Sequence, residues 1–262
     1  MHTARAYPPS RPQSIGEVLD SGFRIFRITV VRSLPYGAAI MIASQLANMH
    51  ELLTGRPLKA FPRHDPAWWL WYAIGLILSV AFSGALILRQ NALATGAPTS
   101  AAAELRTVTA RFVELLVVGV LALMGILLGL LLLVLPGVYL AVAFMFAMPA
   151  LLLRPCKPSE ALRYSAWLVH RNWWRTLLTI FLTFFVMVAF EALIGMLAAI
   201  SGVIWGVADL AVVSAISTVA GVALGAVALP FMWAVVLALY GDLQVRREGL
   251  DLERRVTQAV ET

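Results

Sequence analysis

The chain has 262 residues, of which 61% are hydrophobic and 13% charged, where soluble domains run at about 45–50% and about 25%. That balance excludes an ordinary soluble globular protein. Its net charge of +6 would suit nucleic acid in a soluble chain, but here the basic residues flank apolar stretches, where membrane orientation and anionic lipid account for them, and no nucleic-acid partner is expected.

Several windows reach the roughly 20 apolar residues that a helix needs to cross about 30 Å of hydrocarbon. They are apolar on all sides and do not alternate as the strands of a membrane barrel do. The sequence therefore predicts an all-α integral membrane protein, a single polytopic domain over 1–262, with six transmembrane helices and amphipathic interfacial helices on the cytoplasmic face. Glu17, Asp20, Arg24 and Arg27 interrupt any signal-peptide core at the start, so the segment is expected to stay in the mature protein.

In chain order, Ser14 and Glu17 form a capping-box pattern opening an amphipathic helix over 15–31, with Ile15, Val18, Leu19, Gly22, Ile25 and Phe26 on its apolar face. Pro35 is expected to end that helix and to separate it from a first span at 36–53, whose far end carries Gln45, Asn48, His50 and Glu51. The cluster Trp68, Trp69, Trp71 and Tyr72 marks an interface and starts a second span at 68–88, which Arg89, Gln90 and Asn91 are expected to end in water. A helix over 100–111 leads into a third span at 112–135. Pro136–Gly137 is expected to form a tight turn into a short fourth span at 138–153.

Residues 159–174 have Leu162, Ala166, Val169 and Trp173 on one face and Glu160, Arg163, Arg171 and Arg175 on the other, with Tyr164, Trp167 and Trp174 among them. Tryptophan among arginines belongs at headgroup level, so this segment reads as a surface helix turning into the fifth span at 176–200. An outer connection follows, then a sixth span at 214–240 that Pro230 should kink, and a charged, aqueous cytoplasmic tail at 241–262.

Seventeen of the twenty Lys and Arg residues fall before the first span, in the 89–111 and 154–175 connections and in the tail, leaving Arg56, Lys59 and Arg63 on the other side. The basic loops being the cytoplasmic ones, both termini are expected inside. A proline followed closely by serine precedes each surface helix (Pro12/Ser14, Pro98/Ser100, Pro158/Ser159). Either an internal threefold repeat or the common need of inner connections for a breaker and a cap produces that pattern.

No catalytic or metal-ligating constellation is visible. His2, His50, His64 and His170 are scattered, Cys156 stands alone, and no phosphate loop or nucleophile motif occurs, so no cofactor and no metal are expected. Gly125/Gly129 and Gly221/Gly225 are spaced for close helix packing. Glu191 is the one acid well inside a span. Either it packs or snorkels, or it belongs to an ion or substrate pathway, with Gln45, Asn48 and Glu51 as candidates to line a vestibule with it. The inner-face basic residues serve topology and anchoring, or attract anionic headgroups. Tyr240, Asp242 and Arg246 stand where the sixth span leaves the membrane, Asp242 and Arg246 at i, i+4. They read as a structural clamp, with Arg154, Arg163 and Arg171 as further candidate partners for Asp242.

Ser14 to Asp20, Leu135-Pro136-Gly137-Val138-Tyr139, Glu160 to Ser165, and the tail Tyr240-Gly241-Asp242-Leu243 with Arg246-Arg247-Glu248-Gly249 and Asp251-Leu252-Glu253 together resemble the bacterial YciC-like membrane protein family. That family is related to the membrane domain attached to some glycerophosphoryl diester phosphodiesterases. The chain departs from the tail pattern at Gln244, where the family resemblance calls for Arg. The resemblance implies a multi-pass protein of the bacterial cytoplasmic (inner) membrane without the soluble phosphodiesterase barrel. The expected role is non-enzymatic, supporting envelope or lipid homeostasis or a membrane assembly, with membrane lipids, membrane-protein partners or a second copy of the chain as its contacts. The alternative is a small transporter or channel built around Glu191; a lipid-modifying enzyme comes third.

Overall fold

The computed structural model describes residues 7–54, 66–204 and 210–261. Among the described residues there are ten helices and no strand: α1 (Ile15–Ser44), α2 (Leu46–Leu53), α3 (Pro66–Thr95), α4 (Ala101–Ala110), α5 (Phe112–Leu132), α6 (Val134–Ala143), α7 (Ala147–Leu153), α8 (Pro158–His170), α9 (Trp173–Ile204) and α10 (Leu210–Glu261). Five segments are long and apolar enough to cross a membrane: α1, α3, α5, the run Val134–Leu153, and Thr218–Gly249 within α10. The pair α8 and α9, bent by 96°, adds a sixth if it is counted as one broken span. The protein is an all-α membrane protein.

The centre of the fold is α1 with α10 and α3 antiparallel to it. Gly22 of α1 lies against Val235, Gly37 against Ala226, and Gly75 of α3 against the Ala43 carbonyl, with no room for a Cβ at any of the three. These backbones approach as small residues in membrane helices allow. Pro230 has no N–H to offer the carbonyl of Ala226, one turn earlier in α10, and that carbonyl lies instead against Gly37. Pro230's own carbonyl accepts a hydrogen bond from the buried Gln90 side chain at 2.6 Å.

Four sequence expectations change here. Pro35 does not end the first helix: α1 runs through it, so residues 15–31 and the start of the first span are one element, and the break comes at Gln45. The exposed proline ring forfeits one backbone bond, while Tyr36, Gly37 and Ile40 beside it are buried and hold the helix in register. The α5–α6 turn falls at extended Leu133, three residues before Pro136, because proline in the first turn of α6 lacks an N–H that would have no helical acceptor there anyway. The second span does not end in water at Arg89: α3 continues to Thr95 and Gln90 is buried. Finally, the tail continues α10 as helix, and Asp242 and Leu243 are wholly buried.

Two of the three cap expectations hold. Ser14 accepts from Glu17 N–H and Glu17 reaches back to Ser14 N–H at 2.7 Å, and Ser100 caps α4 through Ala103 N–H. The third proposed cap differs: Lys157 occupies the N-cap of α8, with Pro158 following it and Glu160 accepting from Lys157 N–H at 3.0 Å. Gly125 packs on Phe144, Gly129 on Gly137 and Gly225 on Met41, whereas Gly221 meets nothing within 4 Å.

Candidate functional site

Polar chemistry concentrates where α1 begins and α10 nears its charged end. Asp242 is wholly buried, and its Oδ1 accepts from the Gln13 N–H at 2.6 Å. Its Oδ2 accepts from Arg246 Nε at 2.9 Å and from Arg175 at 3.1 Å. Both arginines also donate to the Gln13 carbonyl. The knot thus ties the segment before α1, the first turn of α9 and α10, and it sets two guanidinium groups against one carboxylate. Arg246 is the i, i+4 partner read from the sequence. The cross-chain partner is Arg175, not Arg154, Arg163 or Arg171. Arg163 and Arg171 stand exposed on and just after α8, and Arg154 is engaged elsewhere.

Arg154 donates to the Tyr164 hydroxyl at 2.8 Å and to Glu248 at 3.0 Å, with its guanidinium 4.2 Å over the Tyr164 ring. Tyr164 donates to Glu248 at 3.0 Å and accepts from Gln244 at 3.2 Å. Arg247 lies over the Trp167 ring and donates to the Trp167 carbonyl. Residues 244–248 are therefore clamped along α8 and are not a free tail. Tyr240 is buried between Phe146 and Tyr164, ring centroids 6.0 and 6.5 Å away, and its hydroxyl has no hydrogen-bond partner. Tyr7 packs against Gly241, and burial, with a smaller contribution from Tyr164, pushes its phenol well above the usual tyrosine range.

A second knot escaped the sequence reading. Glu104 of α4 is 3% exposed and accepts from Arg89 Nε at 2.6 Å, Tyr36 OH at 2.6 Å and the Thr99 hydroxyl. It joins α1, α3 and α4. Arg111, between α4 and α5, donates to the Leu151 carbonyl, to that of Arg154 at 3.3 Å and to that of Cys156 at 2.8 Å. A cation on the last carbonyls of α7 satisfies groups that no helical N–H can reach. Burial raises the Cys156 thiol, against a smaller lowering by Arg111.

At the 96° elbow between α8 and α9, Tyr139, His170, Arg171, Asn172, Trp173, Trp174 and Arg175 line a cavity of about 490 Å³. Tyr139 reaches His170 Nδ1 at 3.0 Å, stacks on Trp173 and accepts from the Trp173 indole at 3.3 Å through its carbonyl. The surface helix expected over 159–174 is not one element: it breaks at Arg171–Asn172, and Trp173 and Trp174 belong to α9.

Glu191 is exposed on α9 and lines a groove of about 300 Å³ with Phe23, Phe26, Phe231 and other apolar residues of α1, α9 and α10. It does not meet the Gln45, Asn48 and Glu51 group. From Phe26 to Gln45 is 19 residues, roughly 28 Å of helix at about 1.5 Å each. Asn48 instead donates to Gln45 at 2.9 Å, and Glu51 is buried. His2, His64, Arg5, Arg56, Lys59 and Arg63 lie outside the described residues. Among the described residues, no group of three His, Cys, Asp or Glu side chains converges as a metal site would require.

Compared with protein-family models, curated proteins and solved structures, the chain matches none.

Proposed function

We propose that this is a non-enzymatic membrane protein of the YciC-like kind, in the bacterial cytoplasmic membrane with both termini inside. It supports envelope or lipid homeostasis, or a membrane assembly, by presenting a basic and aromatic surface to anionic headgroups. The observation that carries the reading is how the charges are distributed. Asp242, Glu104 and Glu248 are held in internal pairs, whereas Arg27, Arg163 and Arg171 stand exposed with no side-chain partner among the described residues, close to exposed Trp167 and Trp174 in the case of α8. Acids engaged in this way act as structure, and the unpaired cations give the surface its excess of positive charge, each worth about 1 kcal/mol against an anionic leaflet.

Purification of the full chain from its membrane, followed by mass spectrometry of the lipids and proteins carried with it, tests the reading. Anionic lipids enriched over the bulk membrane are expected. A lipid profile equal to the bulk, with no protein companion, would sink it.

The groove at Glu191 supports the second reading, a small transporter or channel. An exposed carboxylate among phenylalanines on a candidate spanning pair is costly in lipid, and intramembrane acids of that kind mark ion or substrate routes. Flux through reconstituted vesicles that vanishes in Glu191→Gln would favour it.

A further inference from the structure

We infer that the α8–α9 elbow cavity is a binding site for a phosphate group, of the kind an anionic phospholipid headgroup carries. The inference rests on the proposed membrane-surface role and narrows it from a diffuse basic face to one site. Four observations converge on the cavity.

First, it holds two arginines in different states. Arg171 is exposed and its guanidinium has no partner among the described residues. Arg175 is 19% exposed and held rigidly by Asp242 and Gln13. Arginine recognises phosphate through its planar fork, and one fixed fork beside one free fork suits an anion that docks and is then covered.

Second, the knot behind the cavity is not neutral. Arg175 and Arg246 share the single carboxylate of Asp242, which leaves one positive charge in excess at the cavity wall before Arg171 is counted.

Third, α9 starts here, and its first N–H groups, at Trp173, Trp174 and Arg175, have no helical acceptor, the first bond of the turn being from Thr176 to the Asn172 carbonyl. Those donors and the helix dipole add to the arginines' attraction for an anion.

Fourth, the walls are aromatic and set in place: Tyr139 stacks on Trp173, Trp173 meets Trp174 edge to face, and Tyr139 also holds His170. Tyrosine and tryptophan settle at headgroup depth, so a phosphate in the cavity would have its acyl chains beside the apolar flank of α9, where Leu178 and Phe181 are exposed.

The test uses the full-length protein in nanodiscs and compares Arg171→Gln with Arg163→Gln. Both remove one exposed, unpartnered charge from the same end of the molecule, but only Arg171 lines the cavity. Binding of phosphatidylglycerol and of phosphatidylcholine is read by native mass spectrometry. Inorganic phosphate and glycerol 3-phosphate are titrated separately in nanodiscs of phosphatidylcholine alone. The expected result is a preference for phosphatidylglycerol that falls about tenfold in Arg171→Gln and no more than about twofold in Arg163→Gln. Retention of phosphatidylglycerol without binding of the soluble phosphates identifies the source as lipid. Binding of the soluble phosphates, lost in Arg171→Gln, identifies a water-soluble phosphate at the same site. Equal small losses in the two variants, with the anionic preference intact, would overturn the site and leave the diffuse basic surface standing. No preference for any phosphate-bearing anion would overturn both.

Discussion

Asp242 and Arg175 are 67 residues apart in sequence and form an ion pair at 3.1 Å in which the carboxylate is wholly buried. Breaking such a pair from one side leaves a buried charge without its partner, at a cost of about 3–5 kcal/mol. Asp242→Asn is therefore expected to lower the yield of folded protein and its melting temperature, since two guanidinium groups would face a neutral amide. Arg246→Gln should cost less, because Arg175 and the Gln13 N–H remain on the carboxylate. The double variant Asp242→Asn/Arg175→Gln should be less damaging than the two single losses added together. Unchanged melting in Asp242→Asn, together with loss of a cellular phenotype, would replace the structural clamp by a functional site.

The Glu104 knot yields a sharper stability prediction. Arg89→Leu strands a carboxylate that is 3% exposed and should destabilise by about 3–5 kcal/mol. Tyr36→Phe removes one hydrogen bond to a charged acceptor and should cost about 1.5–3 kcal/mol. Thermal unfolding followed by size-exclusion chromatography in detergent ranks the two. Equal, negligible shifts would mean that water replaces the arginine freely and that the knot is open to solvent.

Composition and apolar window length were enough to identify the helical membrane class, and local cap chemistry at Ser14 and Ser100 was legible because it needs only neighbours in sequence. Proline breaks these helices less than its local chemistry alone implies. Pro35 lies within α1, where burial of Gly37 against α10 and of Tyr36 against Arg89 and Glu104 outweighs one missing backbone bond, and Pro136 lies inside α6. Half of the Asp242 knot was legible, since Arg246 is its neighbour at i, i+4. Arg175 and Gln13 were not, because nothing local in a sequence says which distant arginine a buried acid will meet. Glu104 is illegible for the same reason: it sits in a weakly amphipathic helix, and its partners Tyr36 and Arg89 come from two other helices.

Glu191 separates the two functional readings. Its side chain is exposed in an apolar groove and has no hydrogen-bond or ion-pair partner among the described residues. Glu191→Leu is expected to leave folding intact and to hold or raise the melting temperature. A fall of several degrees would show that the carboxylate is held by a contact in the assembled membrane, and would move it from groove lining to structural anchor.

Orientation is open to cysteine labelling. From the basic-residue count, the 96–100 and 154–157 connections are expected on one side of the membrane. Yet the knots beside them meet α1 at Tyr36 and just before its start, about two dozen residues or roughly 35 Å of helix apart. They can share a face only if the first part of α1 runs along that face, a course that its exposed edge of Asp20, Arg24, Arg27 and Arg32 suits. In a Cys156→Ala background, cysteines at Thr99 and Ser159 should both resist a membrane-impermeant maleimide in intact cells and label after permeabilisation. Labelling of one from outside and the other only from inside would place the two knots at opposite faces. Cys156 itself should label slowly at neutral pH and faster as pH rises, since burial holds its thiol pKa above the ordinary value and only the thiolate reacts.

The end of α10 offers the last test, because it was expected to be a solvated tail and is instead bound to α8. Gln244 and Glu248 reach that helix through the Tyr164 hydroxyl and Arg247 through the Trp167 ring and carbonyl, while Glu248 also pairs with Arg154 just after α7. Tyr164→Phe removes one acceptor and one donor at a single point, while its ring can still stack beneath Arg154. The expected cost is about 1.5–3 kcal/mol for three partly exposed hydrogen bonds, two accepted and one donated. Gln244→Arg, the residue that the family resemblance calls for, brings a second cation towards the hydroxyl already held by Arg154, with Glu248 as the only carboxylate in that group. It should be tolerated in wild type and become destabilising in Glu248→Gln, where no acid remains to balance the two arginines. Melting curves of the two single variants and the double one measure that coupling. Strict additivity would show that Gln244, Tyr164 and Glu248 do not act as one network and that this part of α10 is held by its apolar face alone.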